Sequence, residues 1–193
     1  PPTGPQIPLQ AERTMAEVTP GRIHLMRVGF AALAFVIIFF HLLPLNTQVR
    51  NWAPPDLIIC LAMAWSLRRP DYVPVLLLIP VLLMADLLFQ RPPGLLTLLV
   101  VLGCEFLRSR SQPQHETPFV AEWLSVALVI TVITLLNRLT LSVFAIPRTP
   151  LSLSGIEMFA TIAAYPLVAL FSQSLLGVRK LSAAEAEILE ARK

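Results

Sequence analysis

Six polar side chains stand where a largely apolar chain has little use for them: His41, Asp56, Asp86, Asn137, Arg138 and Glu157. Carboxylates, an imidazole and a guanidinium held away from water can relay protons, hold a solute or lock helices together. A charge in an apolar medium is costly, so each is read as functional and is assigned a partner. Asp86 with Arg138 is the pair expected first, since either one alone in lipid would be costly. Each residue also has a plainer reading. Arg138 can snorkel to headgroups. Glu157 can cap its own helix within Ser154-Gly155-Ile156-Glu157, a capping-box pattern. His41 can be an interfacial hydrogen-bonding group, and Asp86 can hold a bundle together rather than line a site. Glu105, close to Arg108, reads as half of an interfacial salt bridge.

Catalytic patterns are missing around these groups. The chain has no G-x-S-x-G elbow, no H-E-x-x-H, and no glycine-rich phosphate loop. Asp86 is the single aspartate deep in an apolar stretch, where an intramembrane aspartyl protease would need two. An enzyme is therefore disfavoured. Cys60 and Cys104 are the two cysteines, and both lie in apolar stretches. They read as small buried hydrophobes rather than metal ligands or a disulfide, and no cofactor is implied.

The elements that must position these residues are apolar helices. The chain is 55% hydrophobic and 14% charged, with mean hydropathy +0.70. A soluble domain carries about a quarter charged residues. A span needs about 20 residues to cross about 30 Å of hydrocarbon. Six spans are predicted, at about 29–45, 54–67, 72–89, 93–107, 119–141 and 154–176. The membrane domain then covers 28–177. Residues 1–27 form a cytoplasmic tail, and 178–193 a short charged helix that opens with Ser182-Ala183-Ala184-Glu185. Residues 1–14 are expected to be a disordered tail, an appended segment, or sequence upstream of a start at Met15. The first apolar stretch lacks a small-x-small cleavage site and is read as a retained anchor.

Local signals refine these spans. Pro54 and Pro55 suit a helix start, which puts Asp56 in the first turn of the second span. Trp52 and Trp65 are expected near its two ends as interfacial aromatics. This span is short, and a re-entrant helix is the alternative. Pro80 and Pro166 lie inside the third and sixth spans, where each is expected to cause a kink. Thr117-Pro118 marks the start of the fifth. Cys60 with Ala64, and Ala160 with Ala164, offer small-residue faces for close helix approach.

Charge sets the orientation. Of 15 Lys and Arg residues, all but Arg50, Arg91, Arg138 and Arg148 fall before the first span or after the second, fourth and sixth. Loops facing the cytoplasm retain positive charge, so both termini are expected inside. No basic run is interleaved with aromatics, so nucleic acid is not an expected partner. This layout also acts as a depth gauge. It places His41, Asp56, Asp86, Asn137, Arg138 and Glu157 together near the outer face.

The central block from Pro54 to Leu107 resembles the MreD family of rod shape-determining proteins. The resemblance is carried by Pro55-Asp56-Leu57, Trp65-Ser66-Leu67-Arg68-Arg69-Pro70, and Ala85-Asp86-Leu87-Leu88 followed by Pro93-Gly94-Leu95. Where that family often has a glycine shortly before the aspartate, this chain has Leu82, Leu83, Met84 and Ala85. Outside the block the likeness is one of hydropathy. The resemblance implies an all-α integral membrane fold of six helices, similar to the substrate-binding subunits of energy-coupling-factor transporters. It implies a non-enzymatic inner-membrane component of the bacterial cell-elongation machinery. Its partners would be a bitopic MreC-like protein and, indirectly, an MreB-like cytoskeleton and a peptidoglycan synthase. Asp56 and Asp86 match family-like positions without catalytic roles. Two other classes stay open: a small-molecule-binding transporter subunit, and a membrane enzyme on lipid-linked substrates with Asp86 and His41 as acid and base.

Overall fold

The computed structural model describes residues 20–43, 53–110, 118–145 and 150–176. Among them the chain is all-helical. The helices are α1 (Pro20–Leu42), α2 (Leu57–Arg68), α3 (Val75–Leu88), α4 (Leu95–Arg110), α5 (Phe119–Val143) and α6 (Leu151–Leu176), with a 3-10 turn at Pro70–Tyr72. Three of them, α1, α5 and α6, are long and apolar enough to cross a membrane. The expected tail at 1–14, the helix at 178–193 and Trp52 lie outside the described residues.

The short helix α2 is the centre of the bundle. Its 12 residues extend about 18 Å, well under a bilayer's apolar thickness. It does not meet lipid along that length. Every residue from Ile58 to Ser66 is buried, and so is Arg68. It packs mainly against α6 and α4, with α1 on a further side. Protein on all sides replaces the lipid that a short helix would otherwise mismatch. Cys60 and Ala64, which share a small-residue face, are both fully buried. Cys60 Sγ lies 3.2 Å from the Thr161 carbonyl of α6, which shows how closely the two helices approach.

Trp65 departs from its expected interfacial place. It is fully buried, and its indole N–H donates to Ser172 Oγ at 3.0 Å. A tryptophan in an apolar run signals an interface only when the helix faces lipid, and α2 faces protein.

The helix ends also shift from the sequence reading, for tertiary reasons. Helix α1 begins at Pro20, inside the expected tail. Asp56 is the N-cap of α2 rather than a first-turn residue, and its Oδ1 accepts from Ile59 N–H at 3.2 Å. Helix α6 starts at Leu151, ahead of Ser154. Ser154 is therefore already inside the helix, and the expected capping box does not form.

Helices α4 and α5 close on one another at Gly103. A Cβ there would lie 2.8 Å from Val129 Cγ1 and 2.9 Å from Ile133 Cδ1. Both atoms end side chains that can shift, and alanine favours helix over glycine by about 1 kcal/mol. Overpacking typically costs about 1–3 kcal/mol. Gly103→Ala is expected to lower stability by about 1 kcal/mol net. A drop in the thermal midpoint in detergent would show it, and a higher midpoint would refute the close approach.

Candidate functional site

One end of the bundle gathers the residues singled out by depth. At its centre is Arg91, in the turn between α3 and α4. Its Nη1 donates to Asp56 Oδ2 at 2.9 Å and its Nη2 to Glu157 Oε1 at 3.4 Å. The guanidinium also lies over the Phe89 ring, 5.2 Å from the centroid, within cation–π range. Burial disfavours the Arg91 charge. The carboxylates of Asp56, Glu157 and Asp86 outweigh it and hold the cation above its ordinary range.

Asp56 is tied from every side. Besides capping α2 and receiving Arg91, its backbone N–H donates to Thr161 Oγ1 at 2.9 Å. Thr161 Oγ1 in turn donates to the Glu157 carbonyl at 2.6 Å. Asp56 thereby joins the start of α2 and the α3–α4 turn through its carboxylate, and α6 through its backbone N–H.

Asp86 does not pair with Arg138. Its Oδ2 accepts from Gly94 N–H at 3.2 Å, Thr97 N–H at 3.1 Å and Thr97 Oγ1 at 2.7 Å. A helix leaves its first N–H groups without internal partners, and Asp86 supplies an acceptor for the start of α4 from the neighbouring helix. Its backbone carbonyl accepts from Arg91 N–H at 2.9 Å. The turn between uses positive φ at Gln90 (55°) and Gly94 (87°). Glycine takes such a value freely, whereas Gln90 does so only because the turn demands it. Asp86 is thus the residue that shapes the turn presenting Arg91.

Arg138, near the end of α5, donates from Nη1 to Ser154 Oγ at 2.5 Å. His41 packs against Phe89 in a tilted arrangement, with ring centroids 4.4 Å apart. Of the six predicted residues, Asp56, Asn137, Arg138 and Glu157 line one cavity of about 380 Å³. Arg91, Ser154, Thr134 and Thr161 add to its polar wall, and its apolar wall includes Leu96, Ile130, Ile133 and Met158. His41 lines a separate, mainly apolar groove with Phe40 and Leu57. Asp56 and Phe89 border both spaces.

Sequence reasoning missed Arg91, which it set aside as an exception to the charge alternation. The available signal was its place as the single charge in the turn that follows the Asp86 segment. It also missed a second buried cluster at the opposite end. There Arg68 Nε donates to Glu122 Oε1 at 3.1 Å, and Tyr165 Oη donates to the same oxygen at 2.7 Å. Arg68 Nη1 donates further to the Ala169 carbonyl at 3.1 Å. The expected Glu105–Arg108 bridge is present at 2.5 Å, and Arg108 also donates to Ser66 Oγ at 3.2 Å and to the Val73 carbonyl. Among the described residues, no three or more of His, Cys, Asp and Glu are grouped to hold a metal ion.

Among the described residues, six helices, three of them long and apolar enough to cross a membrane, with one buried and one part-buried ionic cluster at opposite ends, give an all-α protein of membrane type. No family model matches the chain, and no curated protein or solved structure does so either.

Proposed function

We propose that this chain is a non-enzymatic scaffold of the bacterial inner membrane, similar to MreD, with six passes and both termini cytoplasmic. It would bind the transmembrane helix and outer segment of a bitopic MreC-like partner, and so link an MreB-like cytoskeleton to peptidoglycan synthesis. One observation carries the reading. The two aspartates on which the resemblance rests are the ones that build the polar end: Asp56 joins α2, α6 and Arg91, and Asp86 shapes the turn between α3 and α4. The long helices supply a surface for a partner helix. Leu124, Leu128, Leu135 and Leu139 form an exposed stripe along α5 at helical spacing.

Depletion of the protein in its native cell tests this. Loss of rod shape with solute uptake intact is the expected result. Intact shape with lost uptake would overturn it. Co-purification narrows the question to the polar end. Arg91→Ala is expected to weaken retention of the partner, and full retention would remove the polar end from the interface.

A second reading is a small-molecule-binding subunit of a membrane transporter. The cavity supports it, since its volume of about 380 Å³ falls within the range of ligand sites, about 300–1,000 Å³.

A further inference from the structure

The charges around the cavity alternate from one element to the next. Arg138 meets Ser154 at 2.5 Å. Ser154 precedes Glu157 by one turn of α6, which separates their Cβ atoms by about 5–6 Å. Glu157 faces Arg91 at 3.4 Å, and Arg91 reaches Asp56 at 2.9 Å. These groups are not equally committed. Asp56 uses both carboxylate oxygens, one on Ile59 N–H and one on Arg91. Glu157 uses one, at the long end of hydrogen-bond range. Its Oε2 makes no hydrogen bond among the described residues, and its side chain is 36% exposed.

A half-committed carboxylate and a guanidinium with several N–H donors therefore face one cavity about a helical turn apart. The amide of Asn137, the neighbour of Arg138 on α5, lines it too. Two cations and two carboxylates surround the space. A lone anion entering it would meet the carboxylates, and a lone cation the guanidiniums. A group carrying both charges can match each wall with its opposite.

We propose that this cavity binds a zwitterionic group, its ammonium on Glu157 and its anion on Arg138 and Asn137. The ammonium is one that bears N–H. Glu157 offers an acceptor, which rewards a charge-assisted hydrogen bond. A quaternary ammonium would need an aromatic cage, and Phe89, the one aromatic among the described residues lining the cavity, already contacts both Arg91 and His41. The apolar wall of Ile130, Ile133 and Met158 takes whatever the zwitterion carries. Two sources share this chemistry: free amino-acid-like solutes and aminophospholipid headgroups. The inference rests on the ligand-binding reading of the cavity and does not require transport.

The test uses the full chain in nanodiscs of phosphatidylglycerol, which contain no zwitterion. Calorimetric titration with the free amino acids probes the solute source. Native mass spectrometry after addition of short-chain phosphatidylethanolamine probes the lipid source. The expected result is stoichiometric binding in one arm. N-acetylation of the ligand that binds, or removal of its anionic charge, should weaken it by at least about tenfold, as loss of a charge-assisted hydrogen bond implies. Glu157→Gln and Arg138→Gln should weaken it similarly. Equal binding of singly charged analogues to the unaltered protein would overturn the proposal, and so would silence in both arms. Stoichiometric binding of a neutral or singly charged solute instead would also overturn it, while leaving the small-molecule reading standing.

Discussion

Glu122→Ala is expected to be among the most destabilising single substitutions in the bundle, by about 3–5 kcal/mol. The Glu122 side chain is 1% exposed and that of Arg68 is 6% exposed. Removing the carboxylate leaves a guanidinium buried beside α6 and takes away the acceptor of the Tyr165 hydroxyl. The cost comes from the stranded partners more than from the lost attraction, because two buried charges already gave up their hydration when the pair formed. That distinction has a measurable signature. Glu122→Gln keeps an acceptor for Tyr165 and should lose clearly less than Glu122→Ala. The double variant Arg68→Met with Glu122→Leu should recover most of the loss, since no charge is then left alone. Denaturant midpoints in detergent for the unaltered protein, Glu122→Ala, Glu122→Gln, the double variant and its two constituent single variants decide it. If the double variant loses the sum of the single losses, the two residues are not acting as a pair.

The same cluster shows where hydropathy stops being informative. The basic pair at Arg68-Arg69 follows an apolar run, and the positive-inside pattern accounts for it as two loop charges. The structure turns Arg68 inward instead, with 5% of the residue exposed. Charge alternation reports the side of the membrane on which a residue lies. It carries no information on whether the residue points to headgroups or to protein. Trp65 fails in the same way, since an apolar run looks alike whether lipid or other helices surround it. The existence of the six helices was legible because each apolar run, long or short, is bounded by proline, glycine or charge. Their ends were less so. Asp86 caps α4 across 11 residues, and no local capping pattern encodes such a contact.

The gathering of polar groups at one end was legible, but its pairing was not. Depth brings Asp56, Asp86, Arg138 and Glu157 to one level, and depth alone cannot say which acid meets which base. The turn after α3 decides that. Asp86 commits its Oδ2 to Gly94 and Thr97 at the start of α4, and makes no ion pair with Arg138. Its carbonyl instead holds the backbone of Arg91, and Arg91 takes the place between Asp56 and Glu157. A residue placed by a loop thereby does what two residues on facing helices were expected to do.

Asp56→Ala is the second large effect expected, a loss of about 2–4 kcal/mol. Two separate contributions make it up. One is the cap on Ile59 N–H, and N-cap replacement by alanine costs about 0.5–2 kcal/mol. The other is the pair with Arg91, whose side chain is 27% exposed against 8% for Asp56. That exposure makes this pair less costly to break than Arg68–Glu122, since water can reach the cation left behind. Asp56→Asn separates the two contributions. Asparagine caps a helix as well as aspartate does, so the remaining loss reports the ion pair. Arg91→Ala on either background completes a double-mutant cycle, in which a coupling of about 1–2 kcal/mol is expected between residues 56 and 91. The cycle for Asp86 and Arg138 should give a coupling near zero, because no contact joins them. Strong coupling in the second cycle, with none in the first, would restore the pairing that depth alone suggests and displace Arg91 from the centre of the site.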